Sequence, residues 1–547
     1  MADLFSFYRG TAKDDRVKAV IYPKIETRPD QRQARRIFFI AMTVFVTGQI
    51  VAADAPGSAT ALPMPASYDF RNPPQGVFDD EWMEVFMGGE KIGYVHQFFR
   101  REGDRIFSEQ HQSMRLGRLG SVLEIKGVVQ SEETLAGEAR SFHSVTELAS
   151  APTIVDGKGD GKFFNVTQQT GNYREQKQVT FPPGTVLAWG EERLARTKGF
   201  AAGTAFEFLT YDPSDDPFQP LPAKETIGPG EKLTIHGNSI AAARVVTHVS
   251  AANGTGGMDM VTWVDAENRT IRATVPMGGM TMEMDIATKE QALADFLPKD
   301  IFAGSLIPLG QTLPADAATV TLHLSRKDNQ PLPLPPESVS EHGEVLPDGS
   351  VRLTLTHAGA QAAVSPPIKD LTPYLGRNSF LDTSDPVLRR LAVEGGGEAT
   401  SPMATAHNLR KFVADYITKK DLSVGFATAS ETAQSHEGDC TEHAVLLAAL
   451  GRIRGLPTRV VAGLVYLPEY EGQSDILGFH MWTQFYFNNQ WVDYDSAITD
   501  GAHPYWRLGF VATDLNGVSL SDFSMDLMSW MAEMKITVEG VTPAAGN

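Results

Sequence analysis

From Trp82 to about Lys299, apolar positions recur in short alternating runs broken by turn residues. Trp82–Met87, Ile92–Phe99 and Val122–Val129 are the clearest, with Gly88-Gly89 and Glu102-Gly103-Asp104 as turns, and Val245–Val249 and Met260–Val264 continue the pattern. A period of two marks strands with one buried face, and so many of them in series predict a large antiparallel β domain over residues 81–300. Met280, Met282 and Met284 fall on one face of such a strand; with Met277 they are read as core packing rather than a copper(I) thioether set. Alternation returns in Ala318–Leu324 and Val351–Leu355, on either side of the Pro-rich Pro331–Pro336, which predicts a small β unit and connector over 301–384. Helical spacing begins only near Asp385, where Leu409, Phe412, Val413, Tyr416 and Ile417 share one face. The predicted fold class is therefore α+β, with the helices confined to a C-terminal domain at 385–547.

Ahead of the β domain the pattern differs. A basic stretch, Arg32-Gln33-Ala34-Arg35-Arg36, precedes the apolar run Ile37–Val46, and small residues follow around Ala52-Ala53-Asp54-Ala55. That order of basic, apolar and small residues predicts a targeting segment over 1–55, an export signal centred on 32–55, and then an Ala/Pro/Ser-rich linker over 56–80. Arg35-Arg36-Ile37-Phe38-Phe39 also has the form of a twin-arginine signal. The expected location is periplasmic or secreted; if the segment is retained, the chain is held close to a membrane.

Composition narrows the chemistry. With 48 Lys+Arg against 67 Asp+Glu, the net charge of −19 over 547 residues argues against a nucleic-acid partner, because binding phosphates needs a basic surface. The single cysteine, Cys440, excludes a disulfide framework and any four-thiolate metal site. No cofactor is expected.

That cysteine lies in Glu437-Gly438-Asp439-Cys440-Thr441-Glu442-His443, followed by the apolar run Ala444–Leu450 and the helix stop Gly455-Leu456-Pro457. Cys440 thus falls at the start of a buried helix, where unpaired backbone N–H groups and the helix dipole favour a thiolate and can hold an oxyanion. A thiolate needs a base and the base an orienting partner. Phe479–Phe487 and Gln490–Asp495 flank Asn488-Asn489, the pattern of a two-residue hairpin. Pairing Phe487 with Gln490 sets Gln484 against Asp493 and Trp482 against Asp495, with His480 diagonal to Asp495 and within side-chain reach of it. Asp495 is the better partner for His480; Asp493 is further away. Gln434, six residues before Cys440, is a candidate oxyanion donor, and Asp439, His443 and Trp482 are candidate supporting residues. A rival reading gathers His436, Cys440, His443 and His480 around zinc or copper; it leaves Asp495 without a role, and no metal is assigned.

These blocks resemble the transglutaminase-like superfamily of papain-like thiol enzymes. The resemblance rests on Gly438–His443, Gly455–Val461, His480-Met481-Trp482-Thr483 and Trp491–Asp495, in that order, and covers about residues 385–547. Met481 and Gln484 stand where the family often has Ala and Glu. The resemblance implies Cys440 as nucleophile, His480 as base and Asp495 as orienter. It also implies a protein or peptide substrate attacked at an amide bond, through a thioester resolved by water (peptidase or amidase) or by an amine (acyl transfer). The alternative is a non-enzymatic binding or envelope-assembly module on the same scaffold.

Overall fold

The computed structural model describes residues 68–543, apart from 119–120, 149–150, 215, 251–256, 267–268, 278–279, 300–305, 328–330, 358–367, 420–425, 471, 499–505 and 516–533. The targeting segment at 1–55 and most of the 56–80 linker lie outside the described residues. Among the described residues, no helix is long and apolar enough to cross a membrane.

Fifteen strands, β1 (Gly76–Met87) through β15 (Met280–Ala287), form a single sheet. Its order runs from β8 (Tyr173–Thr180) back to β1, then from β15 back to β9 (Thr185–Val186), so nearly all neighbours in space are neighbours in sequence. β1 begins at Gly76, inside the stretch read as linker, because Phe78 is already buried against Phe99. The sheet curls. Phe181, just past β8, lies 4.6 Å from the ring of Tyr211, at the opposite end of the strand order, and both belong to one apolar cluster with Phe142, Phe164 and Leu187.

Inside the curl sits the helix α1 (Ala188–Lys198). Its first N–H groups, those of Trp189 and Gly190, each donate at 2.8 Å to the buried carboxylate of Glu133 on β4 (Ser121–Thr134). A carboxyl at a helix N-terminus satisfies orphan donors and the dipole together. The interior also buries Glu191, Glu192 and, on β11 (Leu221–Ile235), Glu225. Burial pushes Glu133 up to about 7 despite those two N–H donors, and pushes Glu225 up to about 8 with help from the charge of Glu192. Met282 and Met284 lie in the sheet core with Met83, Met87, Met114 and Met260; the side chains of Met277 and Met280 lie outside the described residues.

The C-terminal region is built on two further sheets. Strand β21 (Gln473–Phe487) pairs with β20 (Thr458–Tyr470) on one side and with β16 (Ile307–Pro308) and β22 (Gln490–Tyr494) on the other; β23 (Arg507–Thr513) lies beyond β20. Helices α3 (Pro386–Gly396), α4 (Pro402–Tyr416), α5 (Ala429–Ser435) and α6 (Cys440–Ile453) cover one face; the short α2 (Lys289–Leu293) belongs to the first sheet. The run Ala444–Leu450 of α6 is buried at the centre, against Leu391, Leu409, Val413, Val460 and Phe485. The second sheet has the order β18 (Glu341–Val345), β19 (Val351–Thr356), β17 (Ala317–Arg326), β24 (Met534–Pro543). Its last strand comes from the C-terminal end of the chain, because Ile536 and Val538 pair with Leu324 and Leu322 and extend their buried face. The first sheet also touches this region: the side chain of Leu148 packs on the helical core, and the Ala151 N–H donates to Glu431 of α5.

Candidate active site

The turn into α6 is set by three residues. Asp439 caps the helix: its side chain accepts the Thr441 N–H at 2.8 Å, while Glu442 accepts the Asp439 N–H at 2.9 Å, a reciprocal capping box. The other oxygen of Glu442 accepts the Ala427 N–H at 2.9 Å, which ties the strand of chain before α5 to the start of α6. Burial, aided by the charge of Asp439, holds the Glu442 carboxyl well above its ordinary range, against the two N–H groups it accepts. Gly438 has φ +153°, and a Cβ there would lie 2.2 Å from Cβ of Glu442, so the turn requires glycine. Cys440 is the first residue of α6, half-buried and outside any disulfide.

The hairpin after β21 forms as its sequence predicts. Asn488 and Asn489 both have positive φ, 49° and 65°, as a type I′ turn needs. Phe487 pairs with Gln490 and Gln484 with Asp493. The ladder then ends at Tyr494, so Asp495 leaves the sheet rather than standing opposite Trp482. The Trp482 indole N–H donates instead to Asp493 at 2.6 Å, and the Gln484 amide donates to the same oxygen at 2.6 Å. The second Asp493 oxygen accepts from Ser340, so this carboxylate fastens the four-stranded sheet to β21.

Released from the ladder, Asp495 turns toward His480. The His480 Nε2 to Asp495 Oδ2 distance is 2.6 Å, and both residues are only 3% exposed. Asp495 Oδ1 accepts the N–H groups of Ala497 (2.9 Å) and Ile498 (3.1 Å), and Arg410 Nε on α4 holds the Asp495 carbonyl at 2.6 Å. A second arginine, Arg507 at the start of β23, donates to Oδ2 from Nε at 2.9 Å and from Nη2 at 2.8 Å. Burial works to raise the Asp495 carboxyl, but the charges of His480 and Arg507 outweigh it and hold it far below the usual carboxylate range. An ionised carboxylate only accepts, so His480 Nε2 donates the proton between the two side chains and Nδ1 is left as the ring's other nitrogen. The Trp482 ring, two residues along the strand, lies 6.0 Å from the imidazole and nearly parallel to it.

Helix α6 runs alongside β21 in the same direction. Thr441 meets Met481 (Oγ1 to Sδ, 3.6 Å), the Thr483 hydroxyl donates to the Ala444 carbonyl at 2.8 Å, and Phe485 lies against Gly451. Ten residues of helix span about 15 Å and four of strand about 13 Å, so the two elements keep step. Cys440 opens the helix at the end where Thr441 meets Met481, the chain neighbour of His480. Ser496, next to Asp495, donates to the His443 carbonyl at 3.2 Å and closes the group from the other side.

The remaining candidates fall into two sets. His443 is buried with Nδ1 donating to the Asp439 carbonyl at 2.7 Å, and Asp439 and Trp482 are bound as described. Gln434 is exposed near the end of α5. His436, in the left-handed conformation at the end of α5, bonds the Tyr416 carbonyl at 3.2 Å and lies on the Tyr416 ring. Its partner lies on α4, while those of His443 and His480 are Asp439 and Asp495. Among the described residues no three His, Cys, Asp or Glu side chains gather in a metal-binding arrangement. The two arginines on Asp495 escaped sequence reasoning: 12 residues and no motif separate Asp495 from Arg507.

Residues 389–496 match the sequence model of the transglutaminase-like superfamily, a span that contains Cys440, His480 and Asp495. This segment belongs to the transglutaminase-like superfamily. No curated protein matches the chain. Among solved structures, the chain is similar to a candidate cysteine protease from Cytophaga hutchinsonii (13% identity, TM-score 0.24, covering 42% of this chain and 90% of that one). A β-barrel-like protein from Brucella abortus, of a domain of unknown function, matches at 11% identity and TM-score 0.30, covering 39% of this chain and 97% of that one. A candidate protease from Parabacteroides distasonis matches at 10% identity and TM-score 0.17, covering 50% and 67%. TM-scores of this size carry no argument, so the transglutaminase-like assignment rests on the sequence match.

Proposed function

We propose that the chain is an exported thiol enzyme of α+β architecture that acts on amide bonds of proteins or peptides through a Cys440 thioester. The observation that carries this reading is the buried His480–Asp495 pair at 2.6 Å, on a strand whose Met481 meets Thr441 in the first turn of the helix that Cys440 opens. In the reaction, His480 Nδ1 takes the thiol proton and the Cys440 sulfur adds to the substrate carbonyl. The backbone N–H groups at the start of α6 stabilise the oxyanion that forms. When the tetrahedral adduct collapses, the C–N bond breaks, and the leaving amine takes its proton from the His480 imidazolium. Water, or a second amine, then attacks the thioester while the imidazole takes its proton; the C–S bond breaks to release the acyl product, and the imidazolium gives that proton to the departing Cys440 sulfur. Asp495 stabilises the imidazolium and fixes which ring nitrogen works. Export is read from the basic–apolar–small order of residues 32–55.

The test is the purified mature protein with a peptide library and an added amine donor, wild type beside Cys440→Ala. Cleaved, deamidated or amine-linked products that vanish in the variant support the reading and identify the acceptor. A Cys440→Ala protein that keeps full biological effect would favour the binding-module alternative.

A further inference from the structure

Arg507 does more than fill space beside Asp495. It delivers two donors to Oδ2, the same oxygen that His480 Nε2 meets, and all three contacts fall within 2.9 Å. Asp495 Oδ1 accepts from Ala497 and Ile498, and Arg410 donates to the main-chain carbonyls of Asp495 and Ile498. What Arg507 adds is a permanent positive charge that no pH in the working range removes.

We infer that Arg507 is a positioning residue that sets the proton affinity of His480, by sharing the aspartate oxygen that the imidazolium needs. The inference rests on the reading of His480 as the base. An Asp–His pair alone raises the imidazole's affinity for a proton, and a guanidinium on the same oxygen offsets that gain. Other charged or titratable groups around the pair are few among the described residues. From β22, Asp493 is engaged by Trp482, Gln484 and Ser340. From α6 come Cys440, His443 on the Asp439 carbonyl, and the Asp439–Glu442 capping box; from α4 comes Arg410. On β20, the residue opposite His480 is Gly463, which adds no charge. Among the described residues, Arg507 is thus the one fixed cation on the side-chain oxygens of Asp495.

The test is a direct titration of the His480 ring by NMR in histidine-labelled full-length protein. Cys440→Ala serves as background so that the thiol does not couple to it, and the signal is assigned by its loss in His480→Gln. Arg507→Gln should raise the titration midpoint by about one pH unit, the size expected when a cation this close is removed from a partly screened site. Arg507→Lys keeps the charge and should stay within about 0.3 unit of the parent even while it weakens the fork. It therefore serves as the test if Arg507→Gln does not fold. A folded Arg507→Gln protein with an unmoved or lowered midpoint, or an Arg507→Lys midpoint raised by a full unit, overturns the inference. Reactivity of Cys440 is read separately in the wild type, so loss of the enzymatic reading and loss of the Arg507 role are distinct outcomes.

Discussion

Replacing Asp495 by Asn keeps the volume of the side chain and removes its charge. Asn Oδ1 can still accept the Ala497 and Ile498 N–H groups, so that part of the turn survives. The other end changes sign: an amide N–H₂ now faces the His480 N–H and the Arg507 fork, donors against donors. Breaking a buried ion pair from one side costs about 3–5 kcal/mol, because the partner charge is left behind. The low end applies here, since the Arg507 side chain is 10% exposed and water reaches part of it. A loss of about 3 kcal/mol lowers the melting temperature of a unit this size by roughly 6–12 °C. The pH dependence follows from the direction of the Asp495 shift. Its folded pKa is depressed, so its contribution is present above the ordinary carboxylate pKa and is lost only as pH falls through the folded value. Melting curves of wild type and Asp495→Asn, followed by near-UV circular dichroism, should stay separated from pH 7 down to about pH 4. Curves within about 2 °C of each other at pH 7, or a gap already closed at pH 5, would show that the Asp495 charge does not carry this stability.

Three further outcomes follow from the same structure. Gly438→Ala should destabilise by about 3 kcal/mol, because it combines an unfavourable φ with a Cβ 2.2 Å from Glu442; urea midpoints measure it, and a shift under 1 kcal/mol would be inconsistent. Glu442→Ala strips the partner from the buried N–H groups of Asp439 and Ala427, at about 1–3 kcal/mol each, and should slow iodoacetamide reaction at Cys440 by loosening the helix start; unchanged stability and rate would contradict it. In the first sheet, Glu133 and Glu225 have folded pKa values raised to about 7 and about 8, so their stability contribution is full at low pH and is lost as pH rises through those values. Urea unfolding should therefore show a decline from pH 5 to 9, and Glu225→Gln should remove a share of it on the order of 4 kcal/mol; an identical slope in the variant would rule this out.

Much of the C-terminal region could be read from the chain because its signals are local. Asn488-Asn489 fixes a two-residue turn, so register follows by counting, and the pairing of Gln484 with Asp493 comes out as counted. The count overreaches by one step: β22 ends at Tyr494, and Asp495 reaches His480 from a turn held by Arg410 and Arg507 rather than from the ladder. Those arginines come from another helix and another strand, and no periodicity encodes such a meeting. The large β region was legible as strands for the same local reason. Its curl around α1 was not, because the buried Glu133 under the helix N-terminus looks, in sequence, like any polar residue of an alternating strand. Likewise β24 joins β17 across more than 200 residues of chain, which only complementary buried faces decide.

In the proposed reaction His480 makes Cys440 a nucleophile. The direct measurement is the rate of iodoacetamide addition to Cys440, read by intact mass between pH 5 and 9 in wild type and His480→Ala. The wild type should react well below the ordinary thiol pKa of about 8.5, and His480→Ala should shift the rise to higher pH and slow reaction near neutrality by roughly tenfold or more. A wild-type thiol inert near pH 7, or equal rates in the two proteins, would contradict it.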